Sequence, residues 1–548
     1  MRRIIQSKSI NYMNIRQGTI NYIFSKKKSL IISFLFILSF ALFYFIIDFS
    51  SQSLVAHDEG LYARRSRLIE ESINWFSSPF PTPHHKTLGS YWLIALSIRL
   101  FGNSELALRL PSILSSFLCL IISYLTALKI TNKKCALISL FSLSSSPLWI
   151  QYSRYASPDM PFVLCILLVI FFFLQFLDCR KPIYKIFYIF ISGLFVSFAF
   201  FIRSYMAVVP LIGLTPFLVY HLLREKNISK IIFSSGIIFG LIPTFLNLFY
   251  SYKKFGIVGI NSLFDFAKKQ AIGVVDFSNI LIIPLNYLYF TFPVGILFII
   301  LFVFTKSNNV IKFPLLIYFY PISSLLILLC MSTSYIHYYL FLLPYFSIIF
   351  ASRIQSFSLR CWASSSIIRY LLSFLMLFII SFMFTFILFF NEQFIVSSHG
   401  RIFFIYVILF VFILSYIFSV KVLFGSKGDK ISLIKFFYII VIPQYISLSF
   451  LFNLGILGNP NHKTKLFLND GDVSTIINSN TINLFNVDSK IKTLLLYYLP
   501  SSKIVNSFDD VRIYDYIITS DNGFFKGDQA YKSIKKFENH ILLKKISK

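Results

Sequence analysis

Long apolar runs separated by short polar stretches fill this chain from residue 29 to residue 455. A helix needs about 20 apolar residues to cross the hydrocarbon core of a bilayer. Runs of that order lie at Ser29–Phe49, Glu105–Ile130, 135–150, 158–178, 183–202, 205–222, 229–251, 278–304, 312–331, 335–352, 367–390, 402–424 and 433–455. The pattern predicts a polytopic, all-α membrane protein with about thirteen transmembrane helices. Residues 1–28 are basic and polar, and the run after them is too long for a cleaved signal, so it reads as an uncleaved first span. Tyr91–Phe101 is too short to cross and reads as a continuation of the loop before it. From Gly458 onward the chain turns polar. There GDVSTIINSN reads as helix, and KTLLLYY, SKIVNSF and DYIITSD read as strands. Residues 456–548 are therefore expected to form a small extracytoplasmic α/β domain.

The polar stretch from Leu54 to Trp92 concentrates unusual chemistry. Asp58 and Glu59 open it. Leu61, Leu68, Ile69, Ile73 and Phe76 then share roughly one helical face, which predicts a helix lying in the membrane surface. A proline-containing loop next presents His84, His85 and Lys86. This loop is placed at residues 50–92, between a cytoplasmic tail (1–28) and the rest of a transmembrane domain spanning 29–455.

Composition sharpens this picture in three ways. The chain of 548 residues is 57% hydrophobic and only 13% charged, which no soluble protein of this size would be. Its net charge of +29 is dispersed between apolar runs, so it argues for membrane topology and against nucleic acid. With Lys26–Lys28 cytoplasmic, the clusters at 129–134, 180–185, 224–230, 306–312, 353–360 and 421–430 fall on the same side. Every chemically unusual residue then falls on the opposite, extracytoplasmic face, as does the C-terminus. The cysteines show no CxxC spacing and read as small buried hydrophobes.

Four features on that face admit both a structural and a functional reading. Asp58–Glu59 can cap the surface helix or hold a substrate. Arg154 and Asp159 in SRYASPDMP can form a helix-end ion pair, yet ionisable groups at membrane depth tend to mark function. Arg203 can snorkel or bind an anion. His337 and Tyr338 open a span, where a lone histidine is commonly a hydrogen-bonding residue. Adjacent histidines lack the helical spacing of a zinc pair, so His84–His85 leaves a divalent metal open and no cofactor certain.

The order DEGLYA, HKTLGSYWLIALSIRLFGNSELALRLPS, SPLWIQYSRYASPDMP and IHYYLFLLP resembles the protein O-mannosyltransferase and aminoarabinose transferase superfamily. These are GT-C membrane glycosyltransferases that take sugar from a polyprenyl phosphate. The resemblance covers mainly residues 50–215 and implies roles for individual residues. Asp58 corresponds to the catalytic acidic residue after the first span, and Asp159 to the acidic residue of the second extracytoplasmic turn. Lys86 and Arg203 correspond to basic residues that meet the lipid phosphate. Glu59, Tyr62, His85, Arg154, His337 and Tyr338 are expected around the substrate. Thr87 and Leu88 replace two prolines of the family motif, Ser204 and Tyr205 replace Gly-Pro, and Ser334 stands where relatives have lysine. The implied partners are the membrane, a polyprenyl-phosphate-linked sugar, and a lipid, glycan or protein acceptor. A transporter or flippase for lipid-linked saccharides is the alternative, although it would place its charges near the bilayer midplane, in repeated halves.

Overall fold

The computed structural model describes most of residues 52–356 and 433–547, with scattered positions between them. The expected first span, Ser29–Phe49, lies outside the described residues, as do His84, His85, nearly all of 367–390 and about half of 402–424. The count of thirteen spans is therefore not addressed.

Helices dominate the membrane part. They run α1 Asp58–Glu70, α2 Gly89–Phe101, α3 Glu105–Ile130, α4 Lys133–Ser144, α5 Pro147–Tyr152, α6 Asp159–Asp178 and α7 Pro182–Arg203. There follow α8 Val208–Arg224, α9 Asn227–Gly240, α10 Ile242–Phe255, α11 Ile257–Ile272, α12 Ser278–Phe290 and α13 Val294–Phe304. The later ones are α14 Tyr320–Leu329, α15 Leu343–Ser356 and α16 Leu433–Asn453. Among the described residues, four helical stretches are long and apolar enough to cross a membrane: Glu105–Ile130, Asp159–Asp178, Pro182–Arg224 and Asn227–Phe255. The chain is a membrane protein.

Several expected runs are broken. Residues 135–150 divide into α4 and α5 at Ser145–Ser146, and 229–251 divides at Leu241, beside Pro243. The stretch 335–352 begins as a 3-10 turn, Ile336–Leu342, before α15. The 252–277 connection, expected as a loop, contains α11.

The main core collects α3, α4, α6, α7 and α15 around Trp149, Phe162, Phe173 and Phe176. Small residues let the backbones close. A Cβ on Gly240 would lie 2.6 Å from the backbone of Gly193, and Ser197 Oγ donates to Gly240 O at 2.8 Å. This is how membrane helices associate where the surrounding lipid is as apolar as the side chains. Only 17% of the apolar window in Asn227–Phe255 is buried, which puts that pair at the lipid-facing edge.

The buried face of α1 differs from the one its apolar pattern suggested. Glu59, Gly60, Tyr62, Ala63, Ser66 and Ile69 are buried, while Leu68 is 40% exposed. Both α2 and a helix from the C-terminal segment pack against this small-residue side.

The C-terminal segment carries α17 His462–Asn469, α18 Gly471–Ser479 and α19 Ser489–Tyr498, with strands β1 Ile482–Leu484, β2 Lys503–Ile504, β3 Tyr516–Thr519, β4 Tyr531–Phe537 and β5 His540–Lys545. The sheet order is β2-β1-β3-β5-β4. Strand β1 is parallel to β2 and β3, and β5 is antiparallel to β3 and β4. KTLLLYY, expected as a strand, lies in α19, where Asp488 caps the helix by accepting from Lys490 N and Ile491 N.

Candidate active site

Two buried ion pairs organise the site. The first is Glu59 with Arg109. Glu59 has no exposed surface, and its carboxylate accepts from Arg109 Nε at 2.8 Å and Arg109 Nη2 at 2.8 Å. It also accepts from Val55 N at 2.9 Å and Ala156 N at 2.8 Å. Arg109 Nη2 further donates to Ser53 O at 3.1 Å. One carboxylate thus joins the segment before α1, the second turn of α3, and the turn that leads to Asp159. Glu59 is therefore not placed to touch a substrate, contrary to the expectation for it. Its oxygens are committed to the fold. Arg109 was not singled out in the sequence, although a cation inside an apolar run was the signal to follow.

The second pair is Asp159 with Arg203, 2.7 Å apart. Asp159 opens α6 and Arg203 closes α7, helices that pack along their lengths. The Arg203 guanidinium also lies 4.9 Å from the centre of the Tyr338 ring and 5.9 Å from that of Phe162, within the range of a cation–π contact. The chain then leaves α7 through Ser204 at φ +52°, a conformation that favours glycine. A serine there holds a glycine-like backbone at a cost in strain.

Lys86 is brought beside this pair by the end of α7. Thr87 Oγ1 donates to Phe200 O at 2.9 Å, and a Cβ on Gly89 would sit 2.6 Å from Phe201 O. Thr87 therefore anchors the loop to α7 with a hydroxyl that proline would lack. The Lys86 ammonium donates to Tyr62 Oη at 3.2 Å and lies 4.9 Å from the centre of that ring. Burial pulls the Lys86 pKa below the ordinary lysine value, with Arg203 and Arg65 adding to the pull and Asp58 opposing it. Burial pushes the Tyr62 phenol well above its usual value, so it remains a neutral hydroxyl.

Asp58 is exposed, in contrast to its neighbour. Its charge is near enough to be felt at Tyr62 and Lys86, which puts it within electrostatic reach of the cluster formed by Lys86, Arg203 and Asp159. The His337 Nδ1 lies 3.2 Å from Tyr152 Oη, with Tyr335 stacked on the ring. Arg154 is turned away from the cluster. It donates to Gln52 Oε1 and lies over the Phe452 ring, tying the start of the loop to the end of α16. Asp58, Asp159, Lys86, Arg203, Tyr62, His337 and Tyr338 thus come together, whereas Glu59 and Arg154 serve the frame. Among the described residues, no three His, Cys, Asp or Glu side chains gather as metal ligands, and His85 lies outside them.

The arrangement can do three things chemically. It offers a solvent-reachable carboxylate, it holds two cations for an anionic group, and it surrounds both with aromatic rings.

A sequence model of the dolichyl-phosphate-mannose-protein mannosyltransferase family matches residues 85–250. An uncharacterized protein of Aquifex aeolicus is 36% identical over 93 residues, covering 17% of this chain and 19% of its own. The undecaprenyl phosphate-alpha-4-amino-4-deoxy-L-arabinose arabinosyl transferase 1 of Pseudomonas fluorescens is 25% identical over 208 residues, 37% of each chain. The matched segments thus span well under half the length of these relatives. Among solved structures, ArnT from Cupriavidus metallidurans in the apo state superposes with a TM-score of 0.70 at 14% identity, covering 93% of this chain and 97% of that one. The same protein bound to undecaprenyl phosphate gives a TM-score of 0.68 at 14% identity, with the same coverage. Over nearly its whole length the chain has the fold of ArnT, and residues 85–250 resemble the dolichyl-phosphate-mannose-protein mannosyltransferase family in sequence.

Proposed function

We propose that the protein is an inverting glycosyltransferase that moves a sugar from a polyprenyl-phosphate donor to the hydroxyl of an extracytoplasmic acceptor. The observation that carries this reading is the convergence of exposed Asp58 on a cluster holding Lys86 and the Arg203–Asp159 pair. In such a transfer the acceptor oxygen bonds to the anomeric carbon as the bond to phosphate breaks on the opposite face. Asp58 takes the acceptor proton, and the phosphate keeps the electron pair of the broken bond. That phosphate is already a weak base, so it needs positive charge and no general acid. Lys86 and Arg203 supply the charge, and Asp159 orients Arg203. Tyr62, Tyr338 and His337 line the space left for the sugar. The relatives named for undecaprenyl-phosphate sugars, and the solved relative bound to undecaprenyl phosphate, support this donor class. Each buried methylene of a polyprenyl tail contributes about 0.8 kcal/mol, which accounts for an enzyme built into the bilayer.

The test is transfer by the purified protein in nanodiscs, using a panel of undecaprenyl-phosphate sugars with mass analysis of envelope lipids and glycans as acceptors. A sugar that appears on an acceptor only with active protein supports the reading, and donor translocation without transfer would replace it with the flippase. Lys86→Ala should weaken donor binding about tenfold to a hundredfold, the usual worth of a charge-assisted hydrogen bond. Because its pKa is lowered, the wild-type contact should also fade at a lower alkaline pH than a surface lysine would allow. Unchanged donor affinity in Lys86→Ala would remove it from the phosphate site.

The same reading sets the topology, with the N-terminus cytoplasmic and α1 and the C-terminal segment extracytoplasmic. In a cysteine-free background, Glu71→Cys and Asn480→Cys should both react with an impermeant maleimide on intact cells. Labelling of either only after permeabilisation would reverse the orientation.

A further inference from the structure

The segment that delivers Asp58 is held by residues some four hundred positions away, and every backbone N–H from Ser53 to Ala56 is bound by a side chain. Ser53 N donates to Asn459 Oδ1 at 3.0 Å, Leu54 N to Tyr498 Oη at 3.2 Å, Val55 N to Glu59 Oε2 at 2.9 Å and Ala56 N to Asn461 Oδ1 at 2.9 Å. Of the carbonyls, Leu54 O accepts from Ser53 Oγ at 3.1 Å and Val55 O from the Gly60 backbone N–H at 3.1 Å, and others are taken up by distant side chains. Lys465 Nζ donates to Gln52 O at 3.3 Å, Thr493 Oγ1 donates to Ala56 O at 2.8 Å, and Arg109 serves Ser53 O. An extended strand in a sheet would satisfy these groups with a neighbouring backbone. Here side chains of the C-terminal segment replace the neighbouring strand.

The contact continues into α1. A Cβ on Gly60 would lie 3.2 Å from Leu494 Cα, so α19 rests directly on the first turn of α1. Arg67 Nη1 and Nη2 donate to Tyr497 O at 2.7 Å and Leu496 O at 3.3 Å, carbonyls at the C-terminus of α19 that the helix itself leaves unsatisfied. Tyr498 Oη in turn donates to Glu105 Oε1 at 3.3 Å, and Lys465 pairs with that same carboxylate.

We infer that the C-terminal segment is a positioning element for the reaction: Asn459, Asn461 and Tyr498 fix residues 53–56 and so set where the Asp58 carboxylate stands. The inference rests on the reading of Asp58 as the group that acts on the acceptor. The donor cations are placed chiefly by α7: Arg203 closes that helix, and Lys86 is tied to its end through Thr87 and Gly89, with one hydrogen bond from Lys86 to Tyr62 reaching α1. Loosening the clasp should therefore move Asp58 and leave the donor site in place.

Two variants test this. Asn461→Ala deletes one acceptor, and Tyr498→Phe deletes only a hydroxyl, so the packing of α19 is kept if the first variant folds poorly. In nanodiscs, each should raise hydrogen exchange at the amides of 53–56 about fivefold to tenfold, the equivalent of one lost hydrogen bond, with exchange in α6 unchanged. Turnover at saturating substrates should fall about tenfold to a hundredfold, the scale of a small misplacement of a reacting group, while the KM for the donor holds. Asn461→Asp keeps an acceptor oxygen at the same place and should restore both readouts. Unchanged exchange in both variants would overturn the clasp, and raised exchange with normal turnover would overturn its role in the reaction. If Asp58→Asn turns over normally while Asn461→Ala is slowed, the clasp is supported and the reading of Asp58 is what fails.

Discussion

Asp58→Asn protein is expected to fold, insert and bind the lipid-linked sugar, and to transfer it about 10²–10⁴-fold more slowly, the usual contribution of a positioned general base. Asparagine keeps the size of the side chain and caps a helix about as well as aspartate. A purely structural Asp58 therefore predicts little change in stability or rate. The position of Asp58 favours the larger effect. It is exposed at the start of α1, while the carboxylate beside it in sequence is buried and fully engaged. Transfer assays at matched protein amounts, with donor affinity measured separately, decide the matter. Near-normal turnover would leave Asp58 as a helix cap.

The largest effect on stability is expected at Arg109. Arg109→Met leaves the Glu59 carboxylate with no exposed surface and with the Val55 and Ala156 amides as its remaining partners. Removing one partner of a buried pair typically costs about 3–5 kcal/mol, because the other charge stays behind without compensation. The single variant should give a low yield of inserted protein and a markedly lower midpoint of thermal unfolding. Glu59→Gln combined with Arg109→Met removes both charges and keeps an amide oxygen for Val55 or Ala156. That double variant should recover much of the loss. A single variant as stable as wild type would mean that water or an ion reaches the pair.

The contrast between Asp58 and Glu59 also marks how far the sequence could be read. Alternation of apolar and polar stretches placed Glu105–Ile130 to the residue, helped by Ser104, whose side chain accepts from Ala107 N at 3.2 Å and fixes the start. It placed Pro182–Arg203 to within a residue at each end. Composition of residue types on one face, together with the family resemblance, assembled Asp58, Asp159, Lys86, Arg203 and Tyr338. What neither could supply was direction. Asp58 and Glu59 are adjacent, so they leave α1 at different angles, and only one can face the cluster. Arg154 is close to Asp159 in sequence, but the turn between them sends it to Gln52 and Phe452. KTLLLYY misled because a short apolar run has no reliable period, and the capping aspartate before it was the better guide. The long-range pairing of residue 53 with 459 leaves no local trace, and that of 59 with 109 leaves only a cation inside an apolar run.

That last separation bears on how the protein is made. Ser53 and Asn459 are 406 positions apart, and Leu54 and Tyr498 are 444 apart. During synthesis the ribosome delivers the segment before Asp58 long before most of the side chains that hold it. Glu59 finds Arg109 only 50 residues later, so that join can form while the chain is still being threaded. Most of the remaining backbone groups of this segment wait for nearly the whole polypeptide. Maturation should therefore proceed in two stages, an early membrane bundle and a late locking step, as expected when distant contacts close large loops last. On the proposed reading of the site, a nascent chain stalled before residue 459 would hold Lys86 and Arg203 near α7 but leave residues 53–56 without their distant partners, and it should transfer little sugar.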